Sequence, residues 1–187
     1  MEVRNRLKGS FTYMAGGIDE VPDCGISWRK MMSEWLWDLE IGVFNPCDKP
    51  TNFAKEDIPA RDTLNEMRKN KDYAGMQKIM KDIVSADLHM VDLSTFLIVY
   101  IDKDIHMCGS YSEITYASCL EKKPIIICCK QGVENIPGWI WGICDYKLFF
   151  SSWIEVKKYI TKVAFSKDFQ DPSWRFIDYD KVFGRGE

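Results

Sequence analysis

The sequence has no apolar run long enough to cross a lipid bilayer, which takes about 20 consecutive residues. Its first ten residues, MEVRNRLKGS, are polar and lack the apolar segment of a secretory signal. Neither charge is in large excess, because 25 Lys and Arg stand against 28 Asp and Glu, for a net charge of -3. We therefore expect a cytoplasmic protein with no membrane partner and no polymeric nucleic acid partner, acting on a small-molecule substrate.

Regular cysteine and histidine spacing is missing as well. The seven cysteines are odd in number and irregularly placed, which argues against a disulfide framework. No Cys-x-x-Cys or His-x-x-x-His pair occurs, so we expect no metal site. The pair Gly16-Gly17 follows an apolar stretch, but the G-x-G-x-x-G spacing of a dinucleotide site is absent, so we expect no such cofactor.

Short apolar segments alternate with helical patterns along the chain. Residues 10–15, 41–46, 96–101, 124–129 and 146–150 predict five strands. The runs at 96–101 and 124–129 are continuously apolar, as a parallel sheet covered on both faces requires. The sequence therefore predicts a single α/β domain spanning residues 1–187, built on a doubly wound, five-stranded parallel sheet of flavodoxin-like or Rossmann-like type. The first strand is expected to lie centrally.

Helices are predicted between these strands. Apolar residues at helical spacing predict an amphipathic helix from Ser27, and a polar helix from Asp62 precedes a second amphipathic helix that ends in Ile83 and Asp87. Another helix is expected from Ser110, and a last one from Ser151 or Ser152. Residues 47–60, rich in proline, predict a loop or lid within an insertion at 47–71, and residues 165–187 form a C-terminal extension.

Ligands of such sheets bind beyond the carboxyl ends of the strands, where the strand order reverses. The loops after Ala15, Asn45, Ile101 and Cys129 are therefore the places to search. Glycines there permit close approach of the backbone to a ligand, and the helix start near Arg29 could hold a phosphate. The predicted substrate-binding residues are Ala15, Gly16, Gly17, Ile18, Asp19, Arg29, Asn45, Asp102, Asp104, Gly109 and Ser110.

Glu113 is the first candidate for chemistry. If its helix begins at Ser110, Glu113, Ala117 and Leu120 share one face, and that face must contact the sheet. The alternative is a capping box, in which Ser110 caps the helix and Glu113 closes back on the cap. Spacing alone leaves both interpretations open.

Asp87 and Tyr13 are the other two candidates. Asp87 continues the apolar stripe of its helix, where a carboxylate is costly unless it is paired, protonated or facing a pocket; the alternative is that it turns to solvent. Tyr13 ends the first strand and could reach a carboxylate with its hydroxyl, although most strand tyrosines only pack.

Four segments in order resemble the nucleoside 2-deoxyribosyltransferase family and the related deoxynucleoside 5'-monophosphate N-hydrolases. They are YMAGGI at the first strand, ADLHMVDLSTFLIVYID, GSYSEITYA and KKPIIICC, and IPGWIWGI further on is similar to the segment before the family's last strand. Departures are Ser94-Thr95 at the start of the third strand, and Met107 where these families place a serine or an aspartate. Asp102 and Asp104 are close enough to replace that group.

The resemblance implies a catalytic trio and a reaction. Glu113 would be the nucleophile, Asp87 would handle the proton of the departing base, and Tyr13 would orient the glutamate. It implies base exchange on 2'-deoxyribonucleosides without metal or organic cofactor, in a homo-oligomer. Cleavage of the glycosidic C–N bond needs one ionised carboxyl group as nucleophile and one protonated carboxyl group as proton donor. Two carboxyl groups in different environments can fill these two roles.

Three other functions stay open. A hydrolase of deoxynucleoside 5'-monophosphates would use the same residues, and a non-catalytic nucleotide sensor would keep only the pocket. The phosphoribohydrolases related to lysine-decarboxylase-like proteins are disfavoured, because their Pro-Gly-Gly-x-Gly-Thr pattern is missing at HMCGSYSE.

Overall fold

The computed structural model describes residues 4–185. Five parallel strands form one sheet in the order β2-β1-β3-β4-β5. They are β1 (Phe11–Gly16), β2 (Gly42–Phe44), β3 (Phe96–Ile101), β4 (Ile125–Cys129) and β5 (Phe149–Phe150). This confirms the flavodoxin-like or Rossmann-like α/β prediction. β1 is an interior strand beside the middle strand, β3.

Seven α-helices are seen in this part of the chain: α1 (Ile26–Asp38), α2 (Ile58–Lys69), α3 (Tyr73–Leu93), α4 (Cys108–Thr115), α5 (Gly138–Ile143), α6 (Trp153–Phe165) and α7 (Tyr179–Val182). A π-helical turn, Tyr116–Leu120, continues α4, and short 3-10 turns lie at Val133–Asn135 and Tyr146–Leu148. None of these helices combines the length and the apolar character that a membrane span needs.

The alternating side chains of the strands build a core on each face of the sheet. Leu97, Val99 and Ile127 belong to the layer that α3, α4 and α5 cover. Ile98 and Ile126 point the other way, toward α1 and α6. Because successive side chains of a strand alternate between faces, the continuous apolar runs fill both layers. Tyr13 lies in the first layer, which therefore also holds the candidate chemistry.

Three predicted boundaries were wrong. α4 begins at Cys108 rather than Ser110, and its first turn closes through the Tyr111 N–H donating to the Met107 carbonyl (3.0 Å). α2 begins at Ile58, before the predicted position, because the Asp57 side chain caps it by accepting from Ala60 N–H (2.9 Å). Only two residues of the predicted last strand are extended, since Asp145 caps a 3-10 turn just before them.

The C-terminal extension packs on the second face of the sheet. Trp174 is buried there, its ring 5.1 Å from that of Phe96, and its indole N–H donates to the Tyr159 hydroxyl (3.0 Å). The extension thus belongs to the core on the face opposite Tyr13.

Candidate active site

A cavity of about 440 Å³ opens at the carboxyl ends of β1 and β3. β2 lies on one side of β1, and β3 to β5 follow on the other, so the strand order reverses at this position. Open α/β sheets bind ligands at such a switch point. The walls come from the β1–α1 loop, the β2–α2 loop (residues 45–57), α2, α3 and the first turns of α4. We call this space the central cavity.

Glu113 and Tyr13 meet inside the central cavity. The Tyr13 hydroxyl donates a 2.8 Å hydrogen bond to Glu113 Oε1, and the tyrosine is fully buried. Glu113 lies in the second turn of α4, whose N-cap position is Met107 without a side-chain cap. The capping-box alternative is therefore wrong, because Ser110 is inside the helix and Glu113 points to β1.

Burial governs the ionisation of this pair. It raises the pKa of Glu113 to about 7, with the hydrogen bond from Tyr13 acting in the opposite direction. The pKa of Tyr13 is raised well above its ordinary value, first by burial and then by the negative charge of Glu113. The tyrosine is accordingly a permanent donor at neutral pH, and Glu113 is a carboxyl group that changes its charge there.

Asp87 is buried, with a residue exposure of only 5%. It lies on the inward face of α3 one turn after Ile83, so the alternative that it turns to solvent is wrong. Its Oδ1 is 2.8 Å from Lys49 Nζ. Burial raises the pKa of Asp87 to about 8, Glu56 and Glu113 add to the increase, and Lys49 counteracts it. Burial thus favours the protonated form of Asp87 near neutral pH.

Two charged residues beside Asp87, Lys49 and Glu56, were not predicted as part of the site. Both lie in the β2–α2 loop, and Lys49 Nζ is 2.6 Å from Glu56 Oε2 while also donating to the Ala54 carbonyl (2.7 Å). The Lys49 side chain is 1% exposed. The sequence CDKPTNFAKED has no periodicity and reads as a solvated loop, so only the length of this loop beside the sheet edge hinted at a role.

Arg29 is buried and its guanidinium donates to backbone carbonyls. It bonds to Gly16 (2.8 Å), Cys24 (3.1 Å), Gly25 (3.2 Å) and, through Nε, Met14 (3.3 Å). These contacts use four of its five N–H groups and fix the β1–α1 loop. Arg29 thus mainly shapes the cavity wall, and its positive charge lowers the pKa of Glu113.

The structure brings most of the predicted substrate-binding residues to the central cavity. The β1–α1 loop and the start of α4 supply, besides Arg29, six lining residues: Gly16, Gly17, Ile18, Asp19, Gly109 and Ser110.

Four predicted binding residues do not line the central cavity. Ala15 is buried in the core beneath it, and Asn45 faces a separate depression beside α1. Asp102 is ion-paired with Lys130 (2.6 Å) and accepts from Gln131 (2.5 Å), which also donates to Asp104 (3.2 Å). These aspartates follow β3 as predicted, but partners in the loop after β4 hold them away from the cavity.

Part of the cavity wall is apolar. Ile83, Val84 and Met80 of α3 contribute to it together with Leu64 of α2. Charged side chains, including Lys55, Arg61 and Asp19, stand nearer to solvent. The cavity thus combines an apolar wall, suited to a flat ring, with a carboxyl and hydroxyl floor, suited to a sugar.

No family model matches this chain, and no curated protein is significantly similar to it. The function must therefore be argued from the site itself. Within residues 4–185, no group of three or more His, Cys, Asp or Glu side chains is arranged to hold a metal ion.

The arrangement supplies two chemical capacities at one place. A carboxylate, Glu113, is oriented by a fixed hydroxyl, and a second carboxyl, Asp87, keeps a proton to a higher pH. An oriented carboxylate can attack or stabilise an electron-poor carbon, and a protonated carboxyl can donate to a leaving group.

Proposed function

We propose that this protein is a nucleoside 2-deoxyribosyltransferase-like enzyme that exchanges the base of 2'-deoxyribonucleosides through a covalent glycosyl-enzyme on Glu113. The observation that carries the proposal is the meeting of Glu113, Tyr13 and Asp87 in one cavity at the switch point of the sheet. The resemblance of four sequence segments to that family adds support.

In the first half-reaction an oxygen of Glu113 forms a bond to C1' of the sugar as the C1'–N bond to the base breaks. The electron pair of that bond goes to the base nitrogen, and the proton of Asp87 neutralises the departing base. The transition state is oxocarbenium-like, and the negative charge of Glu113 stabilises it. Tyr13 holds the carboxylate so that one oxygen faces the sugar.

The second half-reaction reverses these roles. A ring nitrogen of a second base attacks C1', its proton passes to Asp87, and Glu113 leaves as a carboxylate. The apolar wall formed by α2 and α3 provides a surface on which either base can pack. Base exchange requires that water be kept from the glycosyl-enzyme. Burial of the carboxyl groups therefore favours a base over water as the acceptor of the sugar.

A second candidate is N-glycosidic hydrolysis of 2'-deoxynucleoside 5'-monophosphates. The basic side chains Lys55 and Arg61 beside the cavity favour it, since they could attract a phosphate group. Arg61 uses one N–H for the Val21 carbonyl (2.8 Å) and retains others. This reaction keeps the same roles for Glu113 and Asp87, with water as acceptor.

The protein is further proposed to act in nucleotide salvage in the cytoplasm, as a homo-oligomer. Exposed apolar side chains support the oligomer: Leu120 (67%), Trp139 (75%) and Tyr146 (64%) are largely open to solvent in the isolated chain. Sedimentation velocity would distinguish a monomer from a larger assembly.

One panel of substrates tests the proposal. The protein is incubated with deoxyinosine or thymidine plus a second base, and with deoxynucleoside monophosphates, and products are separated by chromatography. Base exchange by the wild type and its loss in Glu113→Gln are expected, with Glu66→Gln on the exposed side of α2 as the control that keeps activity.

The other outcomes of the panel overturn base exchange. Free deoxyribose without exchange indicates a nucleoside hydrolase, and deoxyribose phosphate identifies the monophosphate hydrolase. Tight nucleotide binding without turnover on any substrate indicates a sensor.

A further inference from the structure

Five charged groups meet around the floor of the central cavity. Arg29 and Lys49 are cations, and Glu56, Asp87 and Glu113 are acids. The ammonium of Lys49 contacts both Asp87 and Glu56, and the charges of Arg29 and Lys49 act on Glu113. We call these five residues the charge cluster. With every member ionised, three acids and two bases leave one net negative charge.

A net charge is unfavourable in so buried a place, because water is largely excluded. Arg29 is inaccessible, and the side chains of Lys49 and Asp87 are 1% and 7% exposed. A single bound proton makes the cluster neutral. The cluster is therefore expected to bind one proton. Removing a cation raises the number of protons needed for neutrality to two, and removing an acid lowers it to zero.

The contacts determine which acid holds the proton. Glu113 accepts a hydrogen bond from Tyr13, and Glu56 is partly open to solvent at 18% and 2.6 Å from Lys49. Asp87 is the most buried of the three acids. Asp87 Oδ1 and Glu56 Oε2 both lack a well-aligned donor within residues 4–185, although each is close to the Lys49 ammonium. Exposure separates the two acids: the less exposed Asp87 loses the least hydration when it is protonated, so the proton belongs there.

We propose that Lys49 and Glu56 are positioning residues that set the number of protons in the site to one and keep it on Asp87. This inference rests on the proposed function, because the proton on Asp87 is the one given to the departing base. The β2–α2 loop thus supplies a pair of opposite charges that controls the protonation of Asp87.

Other ionisable groups face the cavity from the surrounding elements. Tyr13 on β1 stays protonated, and so does the Cys47 thiol beside Arg29, Glu56 and Lys49, because burial raises its pKa to about 11. The other groups lie nearer to solvent, where water screens them: Asp19, Glu20, Lys55, Arg61, His106 and Cys108. They are too hydrated to fix the proton count.

The two residues give opposite expectations when changed singly. In Lys49→Met the cluster must bind a second proton for neutrality, so the titration of Glu113 moves to higher pH. In Glu56→Gln it needs no proton, so the titration of Asp87 moves to lower pH. Each shift is expected to be about one pH unit or more, the usual effect of one nearby charge. The double variant Lys49→Met/Glu56→Gln restores the balance.

The test is a pH titration followed by carbon-13 NMR of labelled Asp and Glu carboxyl groups in the full chain. Wild type, both single variants and the double variant are compared. Opposite shifts in the single variants, and a return of Asp87 and Glu113 toward wild-type midpoints in the double variant, are expected. Unchanged midpoints in the single variants, or a double variant as displaced as either one, would overturn the proposal.

Kinetics separate this inference from the proposed function. If base exchange occurs, the acidic limb of the pH profile of kcat/KM is expected to move to higher pH in Lys49→Met. The alkaline limb is expected to move to lower pH in Glu56→Gln. If the wild type shows no exchange, the proposed function fails. The titrations then still show whether Lys49 and Glu56 control the proton on Asp87.

Discussion

At the scale of single residues, the site depends on how two acids differ. Glu113 is oriented by a hydroxyl that favours its charged form, whereas Asp87 sits among other acids that disfavour its own. Both pKa values are raised by burial, to about 7 and about 8. The proposed roles require that Glu113 be the stronger acid of the two, because a nucleophile must be ionised while the general acid still holds its proton.

Removal of the Tyr13 hydroxyl tests the orientation of Glu113. In Tyr13→Phe the hydrogen bond that lowers the pKa of Glu113 is lost, so we expect the acidic limb of kcat/KM to move to higher pH. We also expect about a tenfold loss at pH 7, of the size that a hydrogen bond to a charged group provides. Steady-state kinetics across pH measure both effects. Tyr100→Phe, on the other face of the sheet, is the control, and an identical loss in both variants would contradict the assignment.

Neutralising Glu113 is expected to stabilise the fold at high pH. The folded-state pKa of Glu113 is raised above its ordinary value of 4.5, so the stability it contributes is present below pH 4.5 and is lost as pH rises through about 7. Glu113→Gln avoids this loss while keeping an acceptor for Tyr13. Urea denaturation should show it more stable by about 3 kcal/mol at pH 8 and unchanged near pH 4. A difference in the free energy of unfolding that is the same at pH 4 and pH 8 would contradict a raised pKa of Glu113.

At the scale of elements, α3, α4 and β1 each bring one chemical group to the cavity. The helical periodicity of apolar residues predicted the direction of the Asp87 and Glu113 side chains. Each carboxyl group falls on a helix face whose other residues are apolar, and that face must contact the core. The two-residue error in the start of α4 did not change the inward face of Glu113. Lys49 and Glu56 could not be predicted, since an irregular loop has no period from which a side-chain direction follows. Asp102 and Asp104 were misplaced because their partners, Lys130 and Gln131, are distant in sequence.

The β1–α1 loop offers a test at this scale. Gly25 has a φ of 68°, and a Cβ there would lie 2.4 Å from Arg29 Nη1 and 2.8 Å from the Gly17 carbonyl. Gly25→Ala should therefore cost about 1 to 3 kcal/mol and weaken substrate binding by moving Arg29. Thermal unfolding and KM measure these effects. The control is Gly142→Ala in α5, where a Cβ would contact nothing within 4 Å; equal losses in both would contradict the role of the loop.

At the scale of the whole molecule, the order of the strands creates the site. β1 and β3 are neighbours although α1, β2, α2 and α3 separate them in sequence. Tyr13 and Glu113, 100 residues apart, meet for this reason. The alternation of apolar strands and helices was sufficient to predict this sheet, because continuous apolar strands need cover on both faces. The path of the β2–α2 loop over the cavity could not be predicted from the sequence and is known only from the structure.

The raised pKa values of Glu113 and Asp87 predict how the proposed reaction should depend on pH. As pH rises through about 7, Glu113 ionises and kcat/KM should increase; above about 8, Asp87 loses its proton and kcat/KM should fall. We expect a bell-shaped profile with its maximum between these values. A maximum near pH 5, or a profile without an alkaline limb, would contradict the assigned roles.

In the proposed reaction, Glu113 carries the sugar between the two half-reactions. The most direct measurement is mass spectrometry of the protein after rapid acid quenching with a 2'-deoxyribonucleoside, followed by peptide mapping. We expect one added deoxyribosyl group, located on Glu113 and absent from Glu113→Gln. Turnover with no adduct, or an adduct on any other residue, would contradict it.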